Sequence, residues 1–286
     1  MPGAVPGAGP GQLTHTLRFQ VLRVGFEIAV SDCAIARAVR FLVQSAIQPE
    51  PARTTVAFDV LRGRDGYEIL RDAALVDVQF DPMQVVDSLY RRIQRDALEA
   101  WPEAVTIKAV SGSHHGERFL VVGESLAERA WLGLELLCRG ADVQGDGLAI
   151  LDGEQLIAVP WPLRVAGRSA PLPPGAPSLA ELPVLGPSAS NVSWALDLGA
   201  TGREWRITPG RCDVILELET NYGGQSRISE VPRRDMARRL ISRCQGLRSP
   251  VSAIRSIAGL VDGARCYALR LGRFSDVTEF WPRRST

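Results

Sequence analysis

Apolar positions along the first hundred residues change period more than once. Leu17, Phe19 and Val21, then Val24, Phe26, Ile28 and Val30, partly alternate and predict a hairpin or two short strands. Asp32 stands as a cap before a helical stripe of Ala34, Ala38, Val39, Leu42 and Val43. Alternation returns at Val56, Phe58 and Val60, and Tyr67 to Leu70 is placed to pair with it across the Gly63–Gly66 turn. Asp81-Pro82 opens a second helix whose apolar stripe is Val85, Val86, Leu89, Ile93, Ala97 and Trp101. Residues 13–101 read as a small α+β module behind a Pro/Gly/Ala-rich tail, residues 1–12, expected to be disordered.

A different order begins near Val105. Strand candidates Val105 to Val110 and Arg118 to Val122 are followed by a helix over 126–139 and a strand at Leu148 to Leu151, which is an α/β sequence of elements. Residues 166–190 hold six prolines (Pro171, Pro173, Pro174, Pro177, Pro183, Pro187) and read as a long irregular loop. Strands are expected again at Trp205–Ile207, Asp213–Leu218 and Cys266–Leu271, with a helix over Arg233 to Cys244. Residues 102–286 form the expected core domain.

Composition narrows the function classes. The chain has 286 residues and a formal net charge of +1, so nothing in the overall charge asks for nucleic acid or an acidic membrane surface. The basic cluster Arg233, Arg234, Arg238, Arg239 and Arg243 reads as a solvated helix face. Five scattered cysteines without a C-x-x-C pair argue against a disulfide framework and a zinc knuckle, and point to a reduced, cytoplasmic setting. No uncharged apolar run approaches the roughly 18 residues of a membrane span.

The chemistry-bearing stretch is Gly123-Glu124-Ser125-Leu126-Ala127-Glu128-Arg129-Ala130. It lies between a buried strand and a helix, the frame of a G-x-x-x-x-G-K-[ST] phosphate loop. Gly123 fills the first position. Glu128 stands at the second glycine, Arg129 at the lysine and Ala130 at the metal-binding Ser/Thr. A carboxylate about 4 Å from another negative charge is repelled by roughly 1 kcal/mol in water and several-fold more near a protein surface. Arg129 keeps a positive charge, but its fork does not replace a compact ammonium. His114-His115, followed by Gly116-Glu117, reads as a hairpin turn, and Trp131 is placed to plug a vacated nucleotide pocket.

Downstream, Arg139-Gly140, Asp146 and Pro160-Trp161-Pro162-Leu163 follow the loop in order. With Gly123 and Ser125, these residues resemble the HPr kinase/phosphorylase family, in particular its HPr-kinase-related members, whose core is similar to phosphoenolpyruvate carboxykinase. The resemblance covers roughly residues 100–165, and Tyr222-Gly223-Gly224 looks like the family's late strand and turn. It implies an α/β HPr-kinase-like P-loop core after the α+β module. Asp146 matches the first carboxylate of the family's Asp pair, and Gly147 replaces the second. Lys108 stands where relatives often carry a His.

With three parts of the phosphoryl-transfer machinery altered together, the expectation is a degenerate, non-catalytic protein that binds a protein, peptide or metabolite, with no cofactor and no metal ligand. The alternative is an active ATP-dependent kinase, a phosphotransferase using ATP and Mg²⁺, in which Gly123, Ser125 and Arg129 hold phosphate and Asp146 is the base. The resemblance also implies a homo-oligomer.

Overall fold

The computed structural model of the chain describes residues 13–43, 54–144, 147–157, 161–166, 172–176, 184–185, 193–196, 209–245 and 250–282. It is a mixed α/β protein that divides into two compact units, the first ending at Trp101 and the second beginning at Pro102.

In the first unit, β1 (His15–Val21) and β2 (Val24–Val30) pair as an antiparallel hairpin. Helix α1 (Cys33–Val43) follows, and Asp32 Oδ1 accepts the Ala34 amide at 2.8 Å as its cap. β3 (Thr54–Arg62) runs parallel to β2, as a crossover through a helix requires. β4 (Tyr67–Arg71) and β5 (Ala74–Gln79) complete the sheet β1-β2-β3-β4-β5. The edge strand β5 escapes the hydrophobic pattern because Leu75 and Val78 are exposed rather than alternating into the core. Helix α2 (Pro82–Glu99) starts where its signals lie: Asp81 caps it and Pro82 sits in its first turn. It buries Val85, Val86, Leu89 and Ile93.

The second unit carries a nine-stranded sheet. β6 (Val105–His114) and β7 (Glu117–Val122) form a hairpin whose turn is His115-Gly116, both residues with positive φ (51° and 77°). That geometry suits the twist of the strands. It also leaves the two imidazoles side by side, centroids 3.9 Å apart and tilted by 40°, not on opposite faces as strand alternation would place them. Helix α3 (Leu126–Cys138) follows. It ends as the sequence predicts, with Gly140 at φ 98° and the Gly140 and Ala141 amides donating to the Leu137 and Leu136 carbonyls at 3.1 and 3.0 Å.

The chain then passes through β8 (Asp142–Gln144), β9 (Leu148–Asp152), β10 (Gln155–Ile157), β11 (Leu163–Ala166), β12 (Val184–Leu185) and β13 (Ser193–Leu196). β11 and β13 pair in a separate small sheet. β12 is a strand inside the stretch expected to be irregular, most of which, like Trp205–Ile207, lies outside the described residues. β14 (Val214–Thr220), β15 (Arg227–Glu230), α4 (Arg233–Ser242), β16 (Cys244–Gln245), α5 (Pro250–Gly263) and β17 (Arg265–Leu271) complete the unit. Helix α4 stops two residues short of the expected Cys244, which already belongs to β16.

Three parallel strands, β7, β14 and β17, lie side by side and position everything that follows. Both faces of this sheet are covered, and Phe119–Val122 of β7 and Val214–Leu216 of β14 read as continuous apolar runs. Phe119, Val121, Leu216 and Leu218 face α3, with Trp131 and Leu134 among their neighbours. Leu120, Val122 and Ile215 face the opposite way, toward Met236 and Leu240 of α4 and Ile257 and Leu260 of α5. Trp131 is core rather than a pocket plug, at 1 % exposure. Leu126, expected on the apolar stripe of α3, is half exposed in its first turn.

Candidate functional site

The carboxyl ends of parallel strands are where open α/β sheets bind ligands. At this edge β7 turns into α3 through Gly123, Glu124 and Ser125, and the helix already begins at Leu126. A phosphate-cradling loop would still be wrapping its ligand over the next residues. Here Ser125 is the helix N-cap, its Oγ accepting the Glu128 amide at 3.2 Å. The turn is therefore too short to form the cradle of backbone N–H groups that a triphosphate needs.

Arg129 occupies the space inside this turn. Its side chain is 2 % exposed, and its Nη1 donates to the carbonyl of Gly123. The Nε has no hydrogen-bond partner among the described residues. Burial, and then the nearby charge of Arg243, hold the guanidinium below its ordinary pKa. Gly123, Ser125 and Arg129 are thus brought together, with the Gly123 carbonyl taken by the Arg129 side chain and the Ser125 carbonyl and hydroxyl by the Arg129 and Glu128 amides.

Glu128 does not hang in the loop either. Its Oε1 accepts from the hydroxyl of Thr220, the last residue of β14, and, at 3.1 Å, from the hydroxyl of Tyr222 just beyond it. Desolvation, then this bond to Glu128, raise the Tyr222 phenol above its ordinary pKa. On the other face of the sheet, buried Glu217 of β14 accepts from Arg239 and, at 2.9 Å, from Arg243. Arg243 also reaches Glu124 at 2.6 Å, and that guanidinium holds the Glu124 carboxyl below the usual range. The basic cluster expected to be a solvated face is thus divided: Arg239 and Arg243 are tied to Glu217, and Arg243 also to Glu124 of the loop, while Arg233 and Arg238 are largely exposed.

The remaining positions of the kinase pattern fit nucleotide and metal no better. Ala130 is buried in the core beneath α3 and presents no oxygen to the loop. Asp146 lies outside the described residues. Its neighbour Gly147 has φ +64°, and a Cβ there would sit 2.4 Å from Leu126 Cδ1 and 3.7 Å from Arg129 Nη2. Among the described residues no group of three or more His, Cys, Asp and Glu could hold a metal ion. Among the described residues, those at this turn offer an ATP–Mg²⁺ complex neither a lysine nor a Ser/Thr hydroxyl at the motif positions.

Beside Thr220 and Tyr222 the same edge opens into a cavity of about 310 Å³. Leu172, Pro173, Pro174 and Phe274 supply apolar wall, and Arg273 and Glu135 supply charge. No sequence motif announces it, because its lining is drawn from four separated segments. Its floor depends on a close backbone crossing: a Cβ on Gly272 would lie 1.9 Å from the Gly224 carbonyl oxygen. None of the five cysteines is in a disulfide, and burial pushes the Cys212 thiol up to about 12 and Cys266 to about 11, so neither is a ready nucleophile. Among the described residues no helix is long and apolar enough to cross a membrane.

No family model matches the chain, and no curated protein matches it. Among solved structures it is similar to the Hpr(Ser) kinase/phosphatase from Coxiella burnetii, at 11% identity and a TM-score of 0.28, over 59% of this chain and 85% of that one. This is a distant structural likeness and carries no conclusion about the loop or its chemistry.

Proposed function

We propose that the chain is a non-catalytic binding protein of the cytoplasm, built on an HPr-kinase-like α/β frame with a degenerate P-loop. Its ligand would be a protein, peptide or small metabolite taken at the carboxyl edge of the parallel strands. The observation that carries this reading is Arg129, whose guanidinium fills the turn that would hold phosphate and is spent on the Gly123 carbonyl. Supporting it are Glu128, tied to Thr220 and Tyr222, and the start of α3 at Leu126. A triphosphate would have to displace these bonds and then face the carboxylates of Glu124 and Glu128, each repelling it by roughly 1 kcal/mol or more at about 4 Å.

The test is isothermal titration of the full chain with ATP, with and without Mg²⁺, together with a turnover assay. The expected result is no binding at millimolar nucleotide. ATP turnover that Asp146→Asn abolishes would overturn the proposal and establish an active phosphotransferase.

A further inference from the structure

We propose that the cavity at the carboxyl ends of β14 and β17 binds a small monocarboxylate with an apolar body. This rests on the non-catalytic binding reading above and names the ligand class for it. The volume, about 310 Å³, lies at the small end of the roughly 300–1,000 Å³ usual for ligand pockets. The walls are mainly hydrocarbon: Leu172, Pro173, Pro174, Leu271 and Phe274. The Phe274 ring stands edge-on to Tyr222 with centroids 6.3 Å apart, which fixes one side of the cavity.

The polar groups in the lining differ in how they are engaged. Thr220 and Tyr222 donate their hydroxyl protons to Glu128. Glu135 accepts from Arg139 at 2.6 Å, and Ser275 leans on Asp276 at 3.5 Å. Arg273 is the cation of the lining, and it is exposed. No acceptor engages its guanidinium among the described residues, whereas nearby Arg270 is held by Glu219 at 2.7 Å. A planar guanidinium offers parallel donors that match a carboxylate. One uncommitted cation in a lining that also holds Glu135 suits a single negative charge. A second charge on the ligand would meet that carboxylate, and the apolar wall favours hydrocarbon behind the head group.

The experiment titrates the full chain with 3-phenylpropanoate, with its amide, with 3-phenylpropylamine and with citrate. The acid is expected to bind at millimolar concentration or tighter, with the other three at least tenfold weaker. Arg273→Ala should weaken the acid by about tenfold or more, the loss of one charge-assisted contact. Arg273→Lys should weaken it less, and Leu172→Trp, which fills the cavity, should abolish binding. Thermal melts that match the parent chain show that each variant is folded. No binding of the acid, equal binding of acid and amide, or indifference to both Arg273 substitutions overturns the ligand class. ATP turnover by the same preparation instead removes the non-catalytic reading, so the two failures are distinguishable.

Discussion

The guanidinium of Arg129 donates to the carbonyl of Gly123, six residues earlier, and so closes the turn between β7 and α3 from the inside. Arg129→Ala removes that donor, leaves a buried carbonyl unpaired and opens a void. The expected loss is about 1–3 kcal/mol. Arg129→Met keeps most of the packed stem and removes the desolvated charge that sits near Arg243, so it should lose less. Urea unfolding of the two variants decides this: an alanine variant as stable as the parent would show that the contact is incidental.

Glu217 and its two arginines make an asymmetric triad. Glu217 is buried and receives both Arg239 and Arg243, but the Arg239 side chain is 40% exposed and Arg243 only 13%. Glu217→Gln takes from the enclosed Arg243 the buried one of its two counter-charges and leaves it only the exposed Glu124, which should cost about 2 kcal/mol or more. Arg239→Ala leaves the better-buried pair intact and should cost about 1 kcal/mol or less. Equal losses in chemical denaturation would contradict this ordering.

His114 gives the fold a pH dependence. It is 4 % exposed, edge-on to Trp281, and burial, with the neighbouring charge of His115 second, lowers its pKa to about 4 from 6.5. The unfolded chain therefore binds this proton more readily than the folded one between those values. Stability is complete above pH ~6.5 and falls as the pH drops toward ~4, by on the order of 2–3 kcal/mol. His114→Gln cannot take the proton, so its stability curve should be flatter over that window. An unchanged slope would assign the acid sensitivity to other groups.

Much of the local structure was legible in the residues. The Asp81-Pro82 start of α2, the His115-Gly116 turn, the Gly140 stop of α3 and the Gly123 turn all lie where short-range chemistry puts them. What was not legible depends on long-range pairing. Val214–Thr220 lies beside both Glu117–Val122 and Arg265–Leu271, and only this adjacency carries Thr220 and Tyr222 to Glu128 and Glu217 to Arg243. Helix α5, not among the expected elements, buries Ala253, Ser256, Ile257, Leu260 and Val261 at helical spacing, a stripe diluted by Gly259 and by the apolar but exposed Val251 and Ile254. The cavity is invisible for the same reason as the triad, since no window of sequence contains it.

Gly147 separates two causes of strain. Its φ is +64°, and a Cβ would meet Leu126 Cδ1, the tip of a half-exposed and movable side chain. The backbone conformation should therefore cost more than the contact. Gly147→Ala is expected to lose about 1–2 kcal/mol, and Leu126→Ala should not restore it. Gly147→Asn should lose less than Gly147→Ala, because asparagine tolerates the left-handed region. Rescue by Leu126→Ala in thermal melts would reverse the assignment.

Restoring the motif letters should not restore nucleotide binding. The combined variant Glu128→Gly, Arg129→Lys and Ala130→Ser writes G-x-x-x-x-G-K-S from Gly123 onward. The backbone beneath it stays a three-residue turn, because Ser125 still caps a helix that begins at Leu126. A serine at 130 would point its hydroxyl into the apolar core that now surrounds Ala130, not toward a metal. A lysine at 129 would lose the Gly123 bond, and a glycine at 128 would release Thr220 and Tyr222 from their shared acceptor. The variant should be less stable than the parent and still show no heat with ATP and Mg²⁺. Binding tighter than millimolar would mean that the first turn of α3 unwinds readily into a loop, and the block would then lie in the three side chains, not in the backbone.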